Sequence, residues 1–175
     1  MWLQKVILIG FRATGKSTVG RLLAERLSWD FVDLDHYIER RLGKSIREVV
    51  EEEGWETFRR AEREALRDFI GRPRVVLAVG GGAVMHRKEM EELGREGLFI
   101  WLKASPETIS QRLKKDPYTK TRRPSLTGKS LEEEVRELLQ ERTPLYSALA
   151  HLELSSETQA PEELVEHILE QIKNF

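Results

Sequence analysis

The chain contains no cysteine, which excludes disulfide bonds, cysteine-ligated zinc and a cysteine nucleophile. It also lacks a run of about 18 consecutive apolar residues, the length that a membrane-spanning helix requires. The opening stretch MWLQKVILIGF is too short and too soon interrupted to be a secretory signal. We therefore expect a cytoplasmic protein with no membrane partner.

An excess of charge of either sign is also missing. Lysine and arginine together number 29, aspartate and glutamate 30, and the formal net charge is −1. Proteins that bind nucleic acid usually carry a basic excess, so we expect no nucleic-acid partner. No long heptad repeat and no apolar surface stripe is evident, so we expect a monomer.

Alternating strand and helix patterns indicate the fold class. The 175 residues suffice for one domain with a substantial core. Short apolar or alternating segments predict strands at residues 6–9, 31–35, 75–79, 98–102 and 151–155. Helical periodicity and capping residues predict helices at 16–26, 36–42 and 46–53, around 58–69, after Ser105 and Ser130, and from Pro161 to Ile172. This alternation predicts one α/β domain over residues 1–175, with helices on both faces of a parallel sheet.

The stretch GFRATGKST, residues 10–18, follows the first apolar strand and begins an amphipathic helix. It matches the phosphate-binding pattern GxxxxGKS in the strand-to-helix context that the pattern requires. Backbone N–H groups of such a loop surround phosphate oxygens, Lys16 reaches the β- and γ-phosphates, and the Ser17 hydroxyl binds Mg²⁺. We therefore expect ATP as a ligand and Mg²⁺ as a cofactor.

Two classes of phosphate-loop protein lack support. A regulatory GTPase would carry an Asn/Thr-Lys-x-Asp guanine-binding motif, which is absent. A motor or DNA-dependent ATPase would place an acidic residue at the end of a buried strand, whereas VVLAV runs into glycines. The acidic pair instead lies in FVDLD, where Asp33 and Asp35 would share one face of a strand. Asp33 would assist Mg²⁺ and Asp35 would meet an acceptor hydroxyl.

Further motifs, FRRAE (58–62), GGG (80–82), RRP (122–124) and ERTPLY (141–146), occur in order along the chain. In ERTPLY, the proline that follows predicts that Arg142 lies at a helix end. Together with GFRATGKST and FVDLD, these motifs make the sequence resemble the shikimate kinases over essentially its whole length. The resemblance implies a five-stranded parallel sheet flanked by helices, a substrate-binding region at about 33–62 and a lid at about 114–128. It implies transfer of the γ-phosphate of ATP to the 3-hydroxyl of shikimate, a step in the pathway to chorismate and the aromatic amino acids.

The resemblance also implies a role for individual residues. Asp35 is implied as substrate ligand and base, and Arg123 as the lid arginine that closes on the phosphates. The remaining residues of the substrate-binding set would be Arg59, Gly80, Gly81, Gly82 and Arg142, the two arginines binding the carboxylate, with Glu62 behind the glycines in a supporting network. ATP would contact Ala13, Thr14, Gly15, Lys16, Ser17, Thr18, Arg112, Arg123, Gln159 and Pro161, and Mg²⁺ would contact Ser17 and, through water, Asp33.

The sequence departs from the family pattern in three places. Ala13 replaces a common glycine, which is compatible with phosphate binding if its φ is negative. Ala78 stands where some members have a hydroxyl residue, which leaves Asp33 and water to complete the metal surroundings. Arg122 adjoins Arg123, and we assign the lid role to Arg123 because it directly precedes Pro124.

Two alternatives remain open at this point. One is a kinase of the same fold that phosphorylates gluconate or a nucleoside monophosphate. The other is a nucleotide-binding module without catalysis that signals through a partner. Acceptor-dependent formation of ADP distinguishes all three hypotheses.

Overall fold

Strands and helices alternate along the chain in the computed structural model, which describes residues 3–117 and 124–175. The strands are β1 (Lys5–Ile9), β2 (Asp30–Asp33), β3 (Val75–Ala78), β4 (Gly97–Lys103) and β5 (Leu152–Ser155). The helices are α1 (Lys16–Leu27), α2 (Leu34–Leu42), α3 (Ile46–Glu53), α4 (Trp55–Arg67), α5 (Arg87–Gly94), α6 (Pro106–Lys115), α7 (Leu131–Leu149) and α8 (Pro161–Ile172), with a 3₁₀ turn at Ala83–Met85. No helix within the described ranges is long and apolar enough to cross a membrane.

The five strands form one parallel sheet in the order β2-β3-β1-β4-β5, which confirms the predicted fold class. Leu8 of β1 lies opposite Ala78 of β3 and Ile100 of β4. Because all strands run in the same direction, their carboxyl ends meet at one edge, where ligands bind in open α/β sheets. The loops that follow β1, β2 and β3 therefore lie side by side.

Both faces of the sheet are covered at its centre, which explains why β1, β3 and β4 are largely apolar. All five residues of β1 are buried. Ile7 and Ile9 belong to a cluster with residues of α2 to α5 and α7, whereas Val6 and Leu8 pack with α1 and α8. A strand buried on both faces needs apolar side chains at every position rather than at alternate ones.

The predicted serine caps are present at three helix starts. The hydroxyl oxygens of Ser45, Ser105 and Ser130 accept hydrogen bonds from the backbone N–H groups three residues later, at 3.1, 3.1 and 3.3 Å. Helix α5 was not predicted, because RKEMEELG carries only Met90 and Leu93 as buried apolar residues. That spacing is too sparse to identify a helix from the sequence alone.

Candidate active site

The loop between β1 and α1 wraps around its own lysine. Gly15 precedes α1 with φ 89°, and a Cβ atom on Gly10 would lie 2.5 Å from the carbonyl oxygen of Leu102. The Lys16 ammonium group donates hydrogen bonds to the carbonyl oxygens of Gly10 and Phe11, both at 2.7 Å. The ammonium group and the first N–H groups of α1 thus place positive charge at the carboxyl edge of the sheet, as an anion site requires.

Ala13 adopts a left-handed backbone conformation, with φ 62°. The negative φ that would suit alanine at this position is therefore absent. A non-glycine residue in this region costs about 1–2 kcal/mol. The Ala13 methyl group packs against the cluster that includes Phe11 and Ile109, and its carbonyl oxygen accepts a hydrogen bond from Arg112 Nη1 at 2.9 Å. These contacts hold the loop in a conformation that glycine would adopt more readily.

We expect Ala13→Gly to raise the free energy of unfolding by about 1 kcal/mol, since glycine removes the left-handed penalty. Urea denaturation followed by circular dichroism measures the change. Ala24→Gly is the matched control: Ala24 lies in α1, where glycine should lower stability by about 1 kcal/mol or more. A loss of stability in both variants would show that Ala13 is not strained.

The two aspartates occupy different elements, contrary to the prediction that both lie on one strand. Strand β2 ends at Asp33, and Asp35 lies in the first turn of α2. Asp33 is the N-cap of that helix, and its Oδ1 accepts a hydrogen bond from the backbone N–H of His36 at 3.3 Å. The cap ends the strand two residues earlier than predicted. Both aspartates nevertheless line the same cleft.

Ser17 and Asp33 are suited to Mg²⁺. The Ser17 hydroxyl donates a hydrogen bond to Asp33 Oδ2 at 2.7 Å, so two hard oxygen ligands lie beside the phosphate loop. Among residues 3–117 and 124–175, no group of three or more His, Cys, Asp or Glu side chains could hold a metal ion. Magnesium usually takes one or two carboxylates and completes its shell with phosphate oxygens and water, so this donor set fits it.

Arg59 belongs to a buried ion-pair network. Its Nη1 donates a hydrogen bond to Glu62 Oε1 at 2.8 Å, and His86 Nε2 lies 2.9 Å from the same oxygen. Burial acts to raise the pKa of Glu62, but the hydrogen bond from His86 and the charge and hydrogen bond of Arg59 outweigh it and lower this pKa. Glu62 therefore holds the Arg59 guanidinium in place through this ion pair.

Arg142 lies within α7 rather than at a helix end, so the prediction of its position was wrong. Helix α7 continues through Pro144 to Leu149. One turn after Arg142, the Tyr146 hydroxyl donates a hydrogen bond to the Gly81 carbonyl oxygen at 2.6 Å. Arg142 is only 4% exposed, and its guanidinium lies 5.6 Å from the centroid of the Phe11 ring. Helix α7 thus holds a buried cation against the glycine turn.

The glycines after β3 make room for the two arginines. A Cβ atom on Gly82 would lie 2.5 Å from Arg59 Nη1, and one on Gly81 would lie 3.1 Å from Arg142 Nη1. The glycine turn therefore brings two guanidinium groups, from α4 and α7, against one stretch of backbone. Planar, positively charged groups in this arrangement suit a carboxylate ligand.

The main cleft, of about 420 Å³, extends from the phosphate loop past the two aspartates to the glycine turn. Its lining includes Ala13, Gly15, Lys16, Ser17, Thr18, Asp33, Asp35, Ala78, Gly80 and Gly81. A smaller adjoining pocket, the arginine pocket, is lined by Arg12, Arg59 and Arg142. On the other side of the phosphate loop, a third cleft is lined by Thr14, Arg112, Gln159 and Pro161. Arg122 and Arg123 lie outside the described residues.

Some residues at the site were not anticipated from the sequence. Arg12 lines both the main cleft and the arginine pocket. The sequence could have identified Tyr146, because it lies four residues after Arg142 and so shares its helix face. No sequence pattern identifies His86, because its partner Glu62 is 24 residues away.

Comparison with known proteins agrees with this geometry. The family model described as "Shikimate kinase" matches residues 12–173. A shikimate kinase from Nitratidesulfovibrio vulgaris is 47% identical over 146 residues, 83% of each chain. A shikimate kinase 2 from Yersinia enterocolitica is 41% identical over 166 residues, 95% of this chain and 94% of the relative.

The structure of an Acinetobacter baumannii shikimate kinase in complex with shikimate is also similar. Its TM-score is 0.89 at 37% identity, covering 98% of this chain and 94% of that chain. The family model covers far more than half of the sequence, and the two relatives exceed 40% identity over most of it. The chain therefore belongs to the shikimate kinase family.

Proposed function

We propose that this protein transfers the γ-phosphate of ATP to the 3-hydroxyl of shikimate, giving shikimate 3-phosphate and ADP. The observation that carries the proposal is the convergence of Arg59 and Arg142 on the glycine turn, beside the cleft that contains Lys16 and Asp35. A carboxylated triol offers an anion for the arginines and hydroxyls for the aspartate. Membership of the family and a relative that binds shikimate support the same substrate.

The donor nucleotide is assigned to the phosphate-loop side. The Lys16 ammonium group would exchange its two carbonyl partners for phosphate oxygens, because a charged acceptor binds it more strongly. Arg112 donates hydrogen bonds to the Ala13 carbonyl and to the Ser156 carbonyl, both at 2.9 Å, and so bridges the loop to the segment before α8. We assign the adenine to this third cleft, between Arg112 and the stretch of Gln159 and Pro161.

The acceptor is assigned to the glycine-turn side. Asp35 would accept hydrogen bonds from the substrate hydroxyls and take the proton of the attacking one. Arg59, held by Glu62, and Arg142 would bind the carboxylate, and the turn of Gly80, Gly81 and Gly82 would contact the ring through its backbone.

In-line phosphoryl transfer needs positioning and charge neutralisation more than covalent help. Ser17 and Asp33 would hold Mg²⁺, which when bound neutralises charge on the phosphate oxygens. Arg123 is assigned from the sequence alone as a further cation for the phosphates, within a lid at about 114–128 that excludes water.

ADP release measured against a panel of acceptors tests the proposal. We expect turnover with shikimate and little with gluconate or nucleoside monophosphates. Turnover of gluconate or a nucleotide, with none of shikimate, would overturn the choice of acceptor. Nucleotide binding without ADP formation on any acceptor would favour the non-catalytic module.

Arg142→Ala should raise the KM for shikimate by about 10- to 100-fold, because it removes a charge-assisted hydrogen bond to the substrate carboxylate, and the loss of such a bond weakens binding by about this factor. The KM for ATP should change much less. Initial rates at varied shikimate and ATP measure both constants. Arg136→Ala is the matched control, because Arg136 lies on the same helix but is exposed and paired with Glu107. An unchanged KM for shikimate in Arg142→Ala would show that the carboxylate assignment is wrong.

A further inference from the structure

A buried carboxylate outside the assigned residues connects the phosphate loop to the wall of the arginine pocket. Glu134 lies in the first turns of α7 and is only 3% exposed. Its Oε1 accepts hydrogen bonds from the backbone N–H groups of Leu126 and Thr127, at 2.6 and 2.9 Å, and from the Ser125 hydroxyl at 2.9 Å. One side chain therefore holds the turn formed by residues 125–127.

The other carboxylate oxygen faces the phosphate loop. Glu134 Oε2 lies 3.6 Å from Arg12 Nη2, and the Arg12 side chain is 19% exposed. Arg12 is the loop residue that lines both the main cleft and the arginine pocket. The buried negative charge therefore acts on a cation located between the donor and acceptor sides.

The turn held by Glu134 is itself part of the acceptor side. Pro124 and Leu126 line the arginine pocket together with Arg59 and Arg142. Leu126 also packs against the apolar cluster that contains Phe11, the neighbour of Arg12. Displacement of the turn would therefore move one wall of this pocket.

The chemistry of Glu134 matches a role as a fixed anion. Burial acts to raise its pKa, but hydrogen bonds from Thr127, Ser125 and Leu126 and the charge of Arg12 outweigh burial and lower this pKa. An anion with several donors on one oxygen and a cation near the other is held in a single orientation.

From these contacts, we propose that Glu134 is a positioning residue for the acceptor: it orients Arg12 and holds the 125–127 turn as a wall of the arginine pocket, beside the two arginines assigned to the shikimate carboxylate. The inference rests on the proposed function. The residues that Glu134 contacts, Arg12 and residues 125–127, are not among those assigned as ligands of the nucleotide or the metal, so its signature is a selective loss of apparent affinity for shikimate.

Steady-state kinetics of Glu134→Gln test the proposal. The amide keeps the side-chain size but removes the charge and turns one acceptor into a donor. We expect the KM for shikimate to rise by about 10-fold, and the KM for ATP to change by less than about twofold. Glu133→Gln is the matched control, because it makes the same change of charge at an exposed residue in the same turn of the helix. It should behave like the wild type.

A double-mutant cycle with Arg12→Gln tests the route of the effect. If Glu134 acts in part through Arg12, the two substitutions should not be independent. The product of the fold-increases in the KM for shikimate of the two single variants should then exceed the fold-increase of the double variant. Should Glu134→Gln not fold, Glu134→Asp, which keeps the charge on a shorter side chain, takes its place under the same criteria.

Three results would overturn the proposal: kinetics of Glu134→Gln equal to those of Glu133→Gln, an equal rise in both KM values, or strictly multiplicative effects in the cycle. The wild-type protein measured in the same series separates this failure from that of the proposed function. Inactivity of the wild type toward shikimate contradicts the function, whereas an active wild type with an unaffected Glu134 variant contradicts only the role of Glu134.

Discussion

Lys16→Ala should abolish most of the shikimate-dependent release of ADP, with kcat reduced by about 10³-fold or more. Negative charge redistributes over the γ-phosphoryl group in the transition state, and a fixed cation in a water-poor cleft stabilises that charge far more than one in bulk water does. The Lys16 ammonium group lies at the start of α1, on the carbonyl oxygens of Gly10 and Phe11. The other cation of the loop, Arg12, is paired with Glu134, so we expect no substitute for the charge of Lys16.

Coupled-enzyme detection of ADP at saturating ATP and shikimate measures the loss. Lys44→Ala is the matched control, because Lys44 is an exposed lysine paired with Glu52 and lines none of the clefts described above. It should retain wild-type rates. A Lys16→Ala variant that kept a kcat within about tenfold of the wild type would show that charge neutralisation rests on other groups.

Lys16→Ala also removes two hydrogen bonds within the loop, so its stability has to be measured beside its rate. The lost bonds are worth about 1 kcal/mol each in stability, and the variant should remain folded at 25 °C. Retained ADP binding in a folded, inactive variant would locate the defect in the chemical step. A variant that unfolds would instead show that the lysine is needed to build the loop.

The phosphate loop was predictable because its determinants are contiguous. A buried strand, a glycine-containing loop with Lys16 and Ser17, and an amphipathic helix follow one another within about 20 residues. The sheet was predictable for a related reason: strands buried on both faces are apolar at every position, and parallel strands require helical crossovers. Local chemistry determines both features, so a single sequence reveals them.

Asp35 and Arg142 show where local patterns mislead. In FVDLD the period of two suggested a strand through Asp35, but the Asp33 carboxylate caps a helix and ends the strand. Pro144 suggested that a helix ends near Arg142, but proline removes only one N–H donor and crowds one turn. The buried side chains of Arg142 and Tyr146 on either side of it keep α7 continuous. A local N-cap decided the first case, and tertiary packing decided the second.

The supporting contacts of the site could not be predicted. The contacts of Glu62 with His86, of Tyr146 with Gly81 and of Arg112 with Ala13 join residues that are 24, 65 and 99 positions apart. Such pairs leave no periodicity in a single sequence. They depend on which loops the parallel sheet brings to one edge, and that placement is known only after the fold.

Asp35→Asn should reduce kcat by about 10²- to 10³-fold, because the amide still accepts a hydrogen bond from a substrate hydroxyl but cannot take its proton. The KM for shikimate should change by a much smaller factor than kcat, since Arg59 and Arg142 also bind the substrate. Initial rates at saturating Mg²⁺ and ATP measure both constants.

Asp33→Asn provides the contrast. Asp33 accepts a hydrogen bond from the Ser17 hydroxyl and is assigned to Mg²⁺, whereas Asp35 is assigned to the acceptor. Asp33→Asn should raise the Mg²⁺ concentration needed for half-maximal rate, and saturating Mg²⁺ should restore much of kcat. Asp35→Asn should show no such recovery. If both variants recovered with Mg²⁺, Asp35 would act on the metal rather than on the hydroxyl. A kcat for Asp35→Asn close to that of the wild type would mean that positioning alone activates the acceptor, since a loose phosphoryl-transfer transition state makes little demand on a base.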